Sequence, residues 1–385
     1  MERDGRYANS PGHFPGRADR APDGGRRSVN FGLWYDFRNP QGLCFEALYR
    51  AKMEQIVWAE TLGFDSVWLT EHHFCADGYT PAPLVIAAAI GARTQRMRIG
   101  TNLMVLPLAD PVRLAEDAAT VAILTGGRFD LGVGLGYRQL EFDYFGRKLS
   151  QRPSLMEEGV DVIRQAWSGE PIHIAGKRYQ IDGLQVTPVP PHKPRIFVGG
   201  MAPVAVERAA RIGDGFLSTG GIGFDAYVAA LDALGKPRSE GVICLGHWAV
   251  VSPDPEAEAA RVGPHALYQL NRYASWGAFG PPEQAPQYAD AASALREGLY
   301  QLWDADQAVA ELTKLLLDVP QIVDVHFWAQ LPGEPVEQGS ARIEYMARHV
   351  LPRVRANLDR REGWVSAPMP PPAGSRPGIS APTAA

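Results

Sequence analysis

Cysteine is scarce in this chain. Three in 385 residues, Cys44, Cys75 and Cys244, are too few and too scattered for a disulfide framework or a zinc ribbon. That scarcity suits a reducing compartment, and a cytoplasmic location is expected. Long apolar runs are absent too. None approaches the roughly 20 residues needed to cross a bilayer, so no membrane partner is expected. Positive charge is not in excess: the formal net charge is −5 and no basic stripe occurs, which argues against nucleic acid as a partner. Residues 1–28 have almost no large apolar side chains, and residues 361–385 run into "APMPPPAGSRPGISAPTAA". Neither segment can bury enough surface to offset its ordering entropy, so both are expected to be disordered. The first also lacks the apolar stretch of a signal peptide. One domain over 29–360 remains.

What is present is a large apolar fraction, 45%, arranged in alternation. Short strand-like runs alternate with longer helical ones, the pattern of parallel βα units. The strands are "VNFGLWYD" (29–36), "FDSVWL" (64–69), "MRIGTNLMVL" (97–106), "RFDLGVGL" (128–135), "RIFVGG" (195–200), "GFLSTG" (215–220), "VICLGHWAVV" (242–251) and "IVDVHFWA" (322–329). Helices are expected near 43–62, 81–94, from Pro111, 153–168, from Pro203, 224–235 and 339–358. Asp110 and the Asp of "DADQAVAELTKLLL" read as helix caps. Period-two alternation over 172–189 around Gly176 and Gly183 reads as a small antiparallel hairpin before strand five. Residues 252–321 form an insertion between strands seven and eight. Eight βα units favour an α/β fold of the (β/α)8 TIM-barrel type, with its site at the C-terminal ends of the strands. A doubly wound open sheet would need fewer strands and a phosphate loop after the first, which "WYDFRNPQGL" does not supply.

Four polar or Gly-rich stretches fall at that one end of the expected barrel. "FDSVWLTEHHFCADGY" turns from apolar to polar at Glu71-His72-His73. Successive strand residues point to opposite faces, so two adjacent histidines rarely share one ion. No His-x-His pair and no later set of ligands completes a metal site, and none is expected. A base poised near neutral pH and a merely structural pair remain as readings. Thr101-Asn102 lies in strand three. Gly132-x-Gly134-x-Gly136-Tyr137 ends strand four, where glycines let a ligand approach the backbone or simply pack tightly. Gly199-Gly200-Met201-Ala202 opens a helix, which suits an anion such as a phosphate. An ordinary turn into a Pro-started helix reads the same way.

From about 30 to 355 the chain resembles the bacterial luciferase-like flavin monooxygenases. The likeness is carried by "GFDSVWLTEHHF", by "VLPLADPVRLAED" with "GGRFDLGVG", and by "EFDYFG". The resemblance implies a (β/α)8 barrel with an insertion after strand seven, binding reduced FMN supplied by a separate reductase, or a deazaflavin coenzyme. It implies a cis peptide at Asn102-Leu103 beneath the flavin ring, with Glu71 as a flavin neighbour. His72 matches the active-site histidine, so His72 and Glu71 form the expected catalytic pair. Gly199, Gly200, Met201 and Ala202 match the phosphate site. Thr101, Gly134, Tyr137 and Arg152 complete the expected cofactor set. The chain departs from luciferases at Leu135, where they carry an arginine, and at Gly200-Met201, where they carry Glu-Ser; Arg152 is the compensating candidate. The aromatic stretch Tyr268–Phe279, with Trp276, reads as a lid and substrate wall, or as plain packing on the barrel. The expected activity is flavin-dependent monooxygenation of a small, largely apolar substrate with dioxygen. Hydride transfer with a deazaflavin and non-catalytic flavin binding are the alternatives. A homodimer through the Ala-rich helices at 84–92 and 111–124 is expected by resemblance.

Overall fold

The computed structural model describes residues 27–365. The disorder expected for 1–28 and 361–385 therefore lies outside the described residues, apart from 27–28 and 361–365. There, Arg27 forms a parallel bridge with Trp364, and the Val365 N–H donates to the Arg27 carbonyl at 2.7 Å.

Eight parallel strands close on themselves: β1 (Asn30–Tyr35), β2 (Ser66–Leu69), β3 (Arg98–Thr101), β4 (Phe129–Gly134), β5 (Ile196–Gly199), β6 (Gly215–Thr219), β7 (Ile243–His247) and β8 (Ile322–Trp328). Each pairs with the next, and β8 pairs with β1. The TIM barrel is thus confirmed and the open sheet excluded. Alternation along the strands sorts the side chains. Phe31, Leu33, Tyr35, Val67, Leu69 and Ile99 pack outward against the helices, whereas Trp34, Trp68, Phe197, Leu217 and Trp328 fill a separate inner cluster. Gly100 is required by that filling: a Cβ there would sit 2.4 Å from the Trp68 ring.

Helices α1 (Phe45–Thr61), α2 (Pro83–Arg93), α3 (Pro111–Leu124), α4 (Arg152–Ala166), α5 (Pro203–Ile212), α6 (Phe224–Ala233), α7 (Ala305–Asp318) and α8 (Val336–His349) cover the barrel. Asp110 caps α3 through the N–H groups of Val112 and Arg113, at 2.9 and 3.0 Å. Asp304 and Gln307 form a reciprocal capping box at α7. The hairpin before β5 is present, pairing Ile172–Ala175 with Gln180–Leu184.

Three elements differ from expectation. Strand three stops at Thr101, the Asn102–Leu103 peptide is cis, and pairing resumes only at Met104–Val105. Strand seven leaves the barrel after His247, and Ala249–Val251 pairs instead with Gln301–Trp303 inside the insertion. The last helix breaks at Val350, because Pro352 cannot donate to a continuing ladder; Leu351–Asp359 is a second helix. In the insertion, Pro255–Trp276 forms one 22-residue helix despite Pro264, capped by Asp254.

Candidate active site

A cavity of about 710 Å³ opens at the C-terminal ends of the strands, within the range of sites for drug-sized ligands and cofactors. The chain leaves β2 at Leu69 and delivers Glu71 and His72 to this cavity. His72 is buried and held at both ring nitrogens: Nδ1 lies 2.9 Å from Glu141 Oε1, and Nε2 lies 2.7 Å from the Tyr137 hydroxyl. Glu141 is fully buried and also accepts the His73 N–H at 2.8 Å. Burial alone would raise its pKa. The hydrogen bond from His72, the His73 N–H and the Arg138 cation outweigh burial and hold the carboxyl below its ordinary range. An ionised Glu141 accepts only, so Nδ1 carries the proton and Nε2 is left to accept from Tyr137 O–H.

Aromatic rings close around this relay. The His72 ring meets Tyr79 at 4.8 Å, Tyr137 at 5.2 Å and Trp276 at 5.3 Å between centroids. Trp34, Trp248, Tyr273 and Phe279 line the same cavity. The lid reading of Tyr268–Phe279 fits this placement, since Tyr273, Ala278 and Phe279 form cavity wall.

Opposite lies a site suited to an anion. Helix α5 starts beneath Gly199–Ala202; its cap residue Ala202 has no side-chain oxygen, Pro203 has no N–H, and Ala205 donates to the Ala202 carbonyl at 2.8 Å, so the Val204 N–H is the first-turn donor left for an anion. Arg152 reaches the same cavity and donates to the Gly136 carbonyl at 3.1 Å. Burial and the neighbouring Arg208 cation lower its pKa. The buried Arg208 Nη1 has no hydrogen-bond partner, although its Nε is paired with Glu157 at 2.7 Å. Arg152, in the cavity wall beside a helix start, fits the phosphate of a flavin nucleotide.

The structure brings most of the sequence-expected set together. Glu71, His72, Asn102, Leu103, Tyr137, Arg152, Gly199, Gly200, Met201 and Ala202 all line the cavity. Thr101 and Gly134 do not. The Thr101 hydroxyl is turned into the wall, donating to the Gly132 carbonyl (2.8 Å) and accepting its N–H (2.9 Å). Gly134 packs beneath Leu103, where a Cβ would fall 2.6 Å from Cδ2. Glu71 is engaged on both oxygens, accepting the Val105 N–H at 2.5 Å and lying 3.4 Å from His73 Nε2. His73 thus faces Glu71 while His72 faces Glu141 and Tyr137, and Glu71 raises the His73 pKa despite burial. Among the described residues no group of three or more His, Cys, Asp and Glu is placed to hold a metal ion.

Sequence reasoning missed Glu141, Trp34, Trp248 and a chain beneath the cavity. Asn102 Nδ2 lies 2.9 Å from His326 Nε2, and His326 Nδ1 lies 2.9 Å from Asp324 Oδ1. Asp324 also accepts from Trp68 Nε1 and Ser66 Oγ. Asp324-x-His326 at strand spacing was the available signal, since residues two apart face the same side.

The luciferase-like monooxygenase family profile matches residues 29–313. An F420-dependent glucose-6-phosphate dehydrogenase of Amycolatopsis mediterranei is 30% identical over 198 residues, 50% of this chain and 60% of that one. The chain matches only half to three-fifths of the length of the first such curated relatives. Among solved structures, the monooxygenase RslO1 from Streptomyces bottropensis superposes with a TM-score of 0.71 at 24% identity, over 84% of this chain and 99% of that one. The oxygenating constituent of 3,6-diketocamphane monooxygenase from Pseudomonas putida, in complex with FMN, gives 0.67 at 16% identity, over 85% and 99%. At these identities the two structures speak for the fold.

Proposed function

The chain belongs to the luciferase-like monooxygenase family, and from that premise we propose that it uses reduced FMN and dioxygen to oxygenate a small, largely apolar organic molecule. The observation that carries this reading is the buried Glu141–His72–Tyr137 relay set in an aromatic wall, facing an anion site across one cavity. The α5 start and Arg152 would hold the cofactor phosphate, and the Asn102–Leu103 backbone would support its ring. When bound, the reduced flavin supplies the electrons that activate dioxygen. The chain's own part is to bind, dry and protonate. Trp34, Trp248, Tyr273 and Phe279 exclude water from the reaction space. Glu141 holds the proton on His72 Nδ1, leaving Nε2 as the base, and the Tyr137 hydroxyl passes a proton between Nε2 and the cavity. Glu71 holds the backbone at Val105 and so the cradle beside it. A separate cytoplasmic reductase would supply the reduced flavin. A homodimer is proposed through α2 and α3, which expose Val85, Ile123 and Leu124.

A second reading is hydride transfer with a deazaflavin. It is favoured by the F420-dependent relative and by an open basic groove of about 680 Å³, lined by Arg147, Lys148 and Arg152, which suits a longer acidic cofactor tail. Anaerobic titration with reduced FMN and with reduced F420, read by absorbance, separates the two. Tight binding of F420 with no oxygen uptake on admission of air would overturn the monooxygenase reading. For the relay, His72→Ala should lower turnover roughly 10²- to 10⁴-fold while flavin affinity survives; unchanged turnover would remove His72 from the chemistry.

A further inference from the structure

One buried cation plays no part in that chemistry. Arg38 follows β1 with its side chain fully buried, and its Nε donates to Asp77 at 2.6 Å. Its two terminal nitrogens have no hydrogen-bond partner. They face rings instead: Cζ lies 5.3 Å from the Tyr79 centroid, 5.0 Å from Tyr268, 5.9 Å from Tyr273 and 5.3 Å from Trp276. Three of these four rings belong to the insertion helix; Tyr79 belongs to the loop after β2. Two hydroxyl contacts run across the same seam, Tyr268 to Asp77 and Tyr79 with Tyr273, each at 2.8 Å. Asp36 and Lys52 lie in the same pocket, so its formal charges balance.

A planar cation stacked among rings from two elements joins them only while both stay in place. Tyr79, Tyr273 and Trp276 are also the rings that surround His72. We propose that Arg38 is a positioning residue that clamps the C-terminal half of the insertion helix over His72, and so sets the substrate wall. The inference stands whichever flavin the protein uses.

Amide hydrogen exchange on the flavin-free, full-length protein tests it. Arg38→Met should speed exchange in peptides covering 265–280 at least tenfold, with peptides of β1 to β8 unchanged. Arg38→Lys keeps a cation among the rings and should restore part of that protection. Wild-type rates at 265–280 in folded Arg38→Met, an increase spread evenly over the barrel, or no gain from Arg38→Lys over Arg38→Met would each overturn the proposal. If Arg38→Met does not fold, Tyr268→Leu against Tyr268→Phe decides: both lose the hydroxyl bond to Asp77 but only the first loses the ring beside Arg38, so faster exchange at 265–280 in Tyr268→Leu than in Tyr268→Phe supports the clamp and equal exchange overturns it.

Discussion

At the scale of single residues, the site works by removing freedom. His72 has one tautomer because Glu141 accepts from Nδ1, and Glu141 is ionised because several donors meet it at once. Glu141→Gln can offer its NH₂ to Nδ1 and flip the ring's tautomer. Turnover should then fall by roughly 10² or more, as loss of a positioned base does. Flavin affinity should hold within a few fold, which titration checks. Arg152→Ala is expected to act the other way. Losing a charge-assisted bond costs about 1.5–3 kcal/mol, or roughly 10- to 100-fold in FMN affinity. Riboflavin, without the phosphate, should bind both proteins alike; equal weakening of the two ligands would take Arg152 off the phosphate. His72 was legible from sequence because alternation separates it from His73 within one strand end. Glu141 was not, although it lies in the conspicuous "GYRQLEF", because its partner is 69 residues away and nothing local couples them.

Elements were legible where their signals are local. Asp110 with Pro111 announced α3, since a cap acts within three residues. The ends of strands three and seven were illegible, because both are set by what the chain meets. Met104–Val105 pairs with β4, and Ala249–Val251 pairs with a segment 52 residues on. Pro264 lies inside the insertion helix, yet tertiary packing of Val262, Ala266 and Leu270 carries the helix through it. Where β3, β4 and β5 start, Asp130 is clamped by Arg98 at 2.8 Å and by Arg195 at 2.9 Å. Burial would raise its pKa, but Arg195 and Arg98 bring it down to about 2. The folded value lies below the unfolded one. The pair therefore contributes fully above about pH 4, on the order of 2 kcal/mol, and loses that as pH falls toward about 2. Urea unfolding between pH 5 and 2 should show this slope in the wild type and a shallower one in Asp130→Asn.

For the whole molecule, the question is how a barrel keeps an insertion seated over its site. The insertion helix of 22 residues is about 33 Å long and carries a buried charge cluster toward each end. Near its C-terminal end is the Arg38 cage. Near its N-terminal end Glu258 meets Arg342 of α8 at 2.7 Å, and Arg342 also pairs with Glu334 at 2.6 Å, all three buried. These two anchors should fail differently. Arg342→Ala strands the buried Glu334 carboxylate and leaves Glu258 with Arg261 alone, a loss of about 3–5 kcal/mol, and because α8 also packs on α1 the cost falls on the whole fold. Replacing all three residues by apolar ones of similar volume should restore most of that stability, since the one charge that loses its partner, Arg261, is exposed. Denaturant midpoints for wild type, Arg342→Ala and the triple variant check this; a triple variant as unstable as Arg342→Ala would show that the triad contributes specific geometry beyond charge pairing. The aromatic seam at the other end is built of rings that surround His72, so cutting it should be felt first at the substrate wall. A protein built this way can reshape its substrate wall by changes around Arg38 without unfolding, while the triad keeps the helix attached.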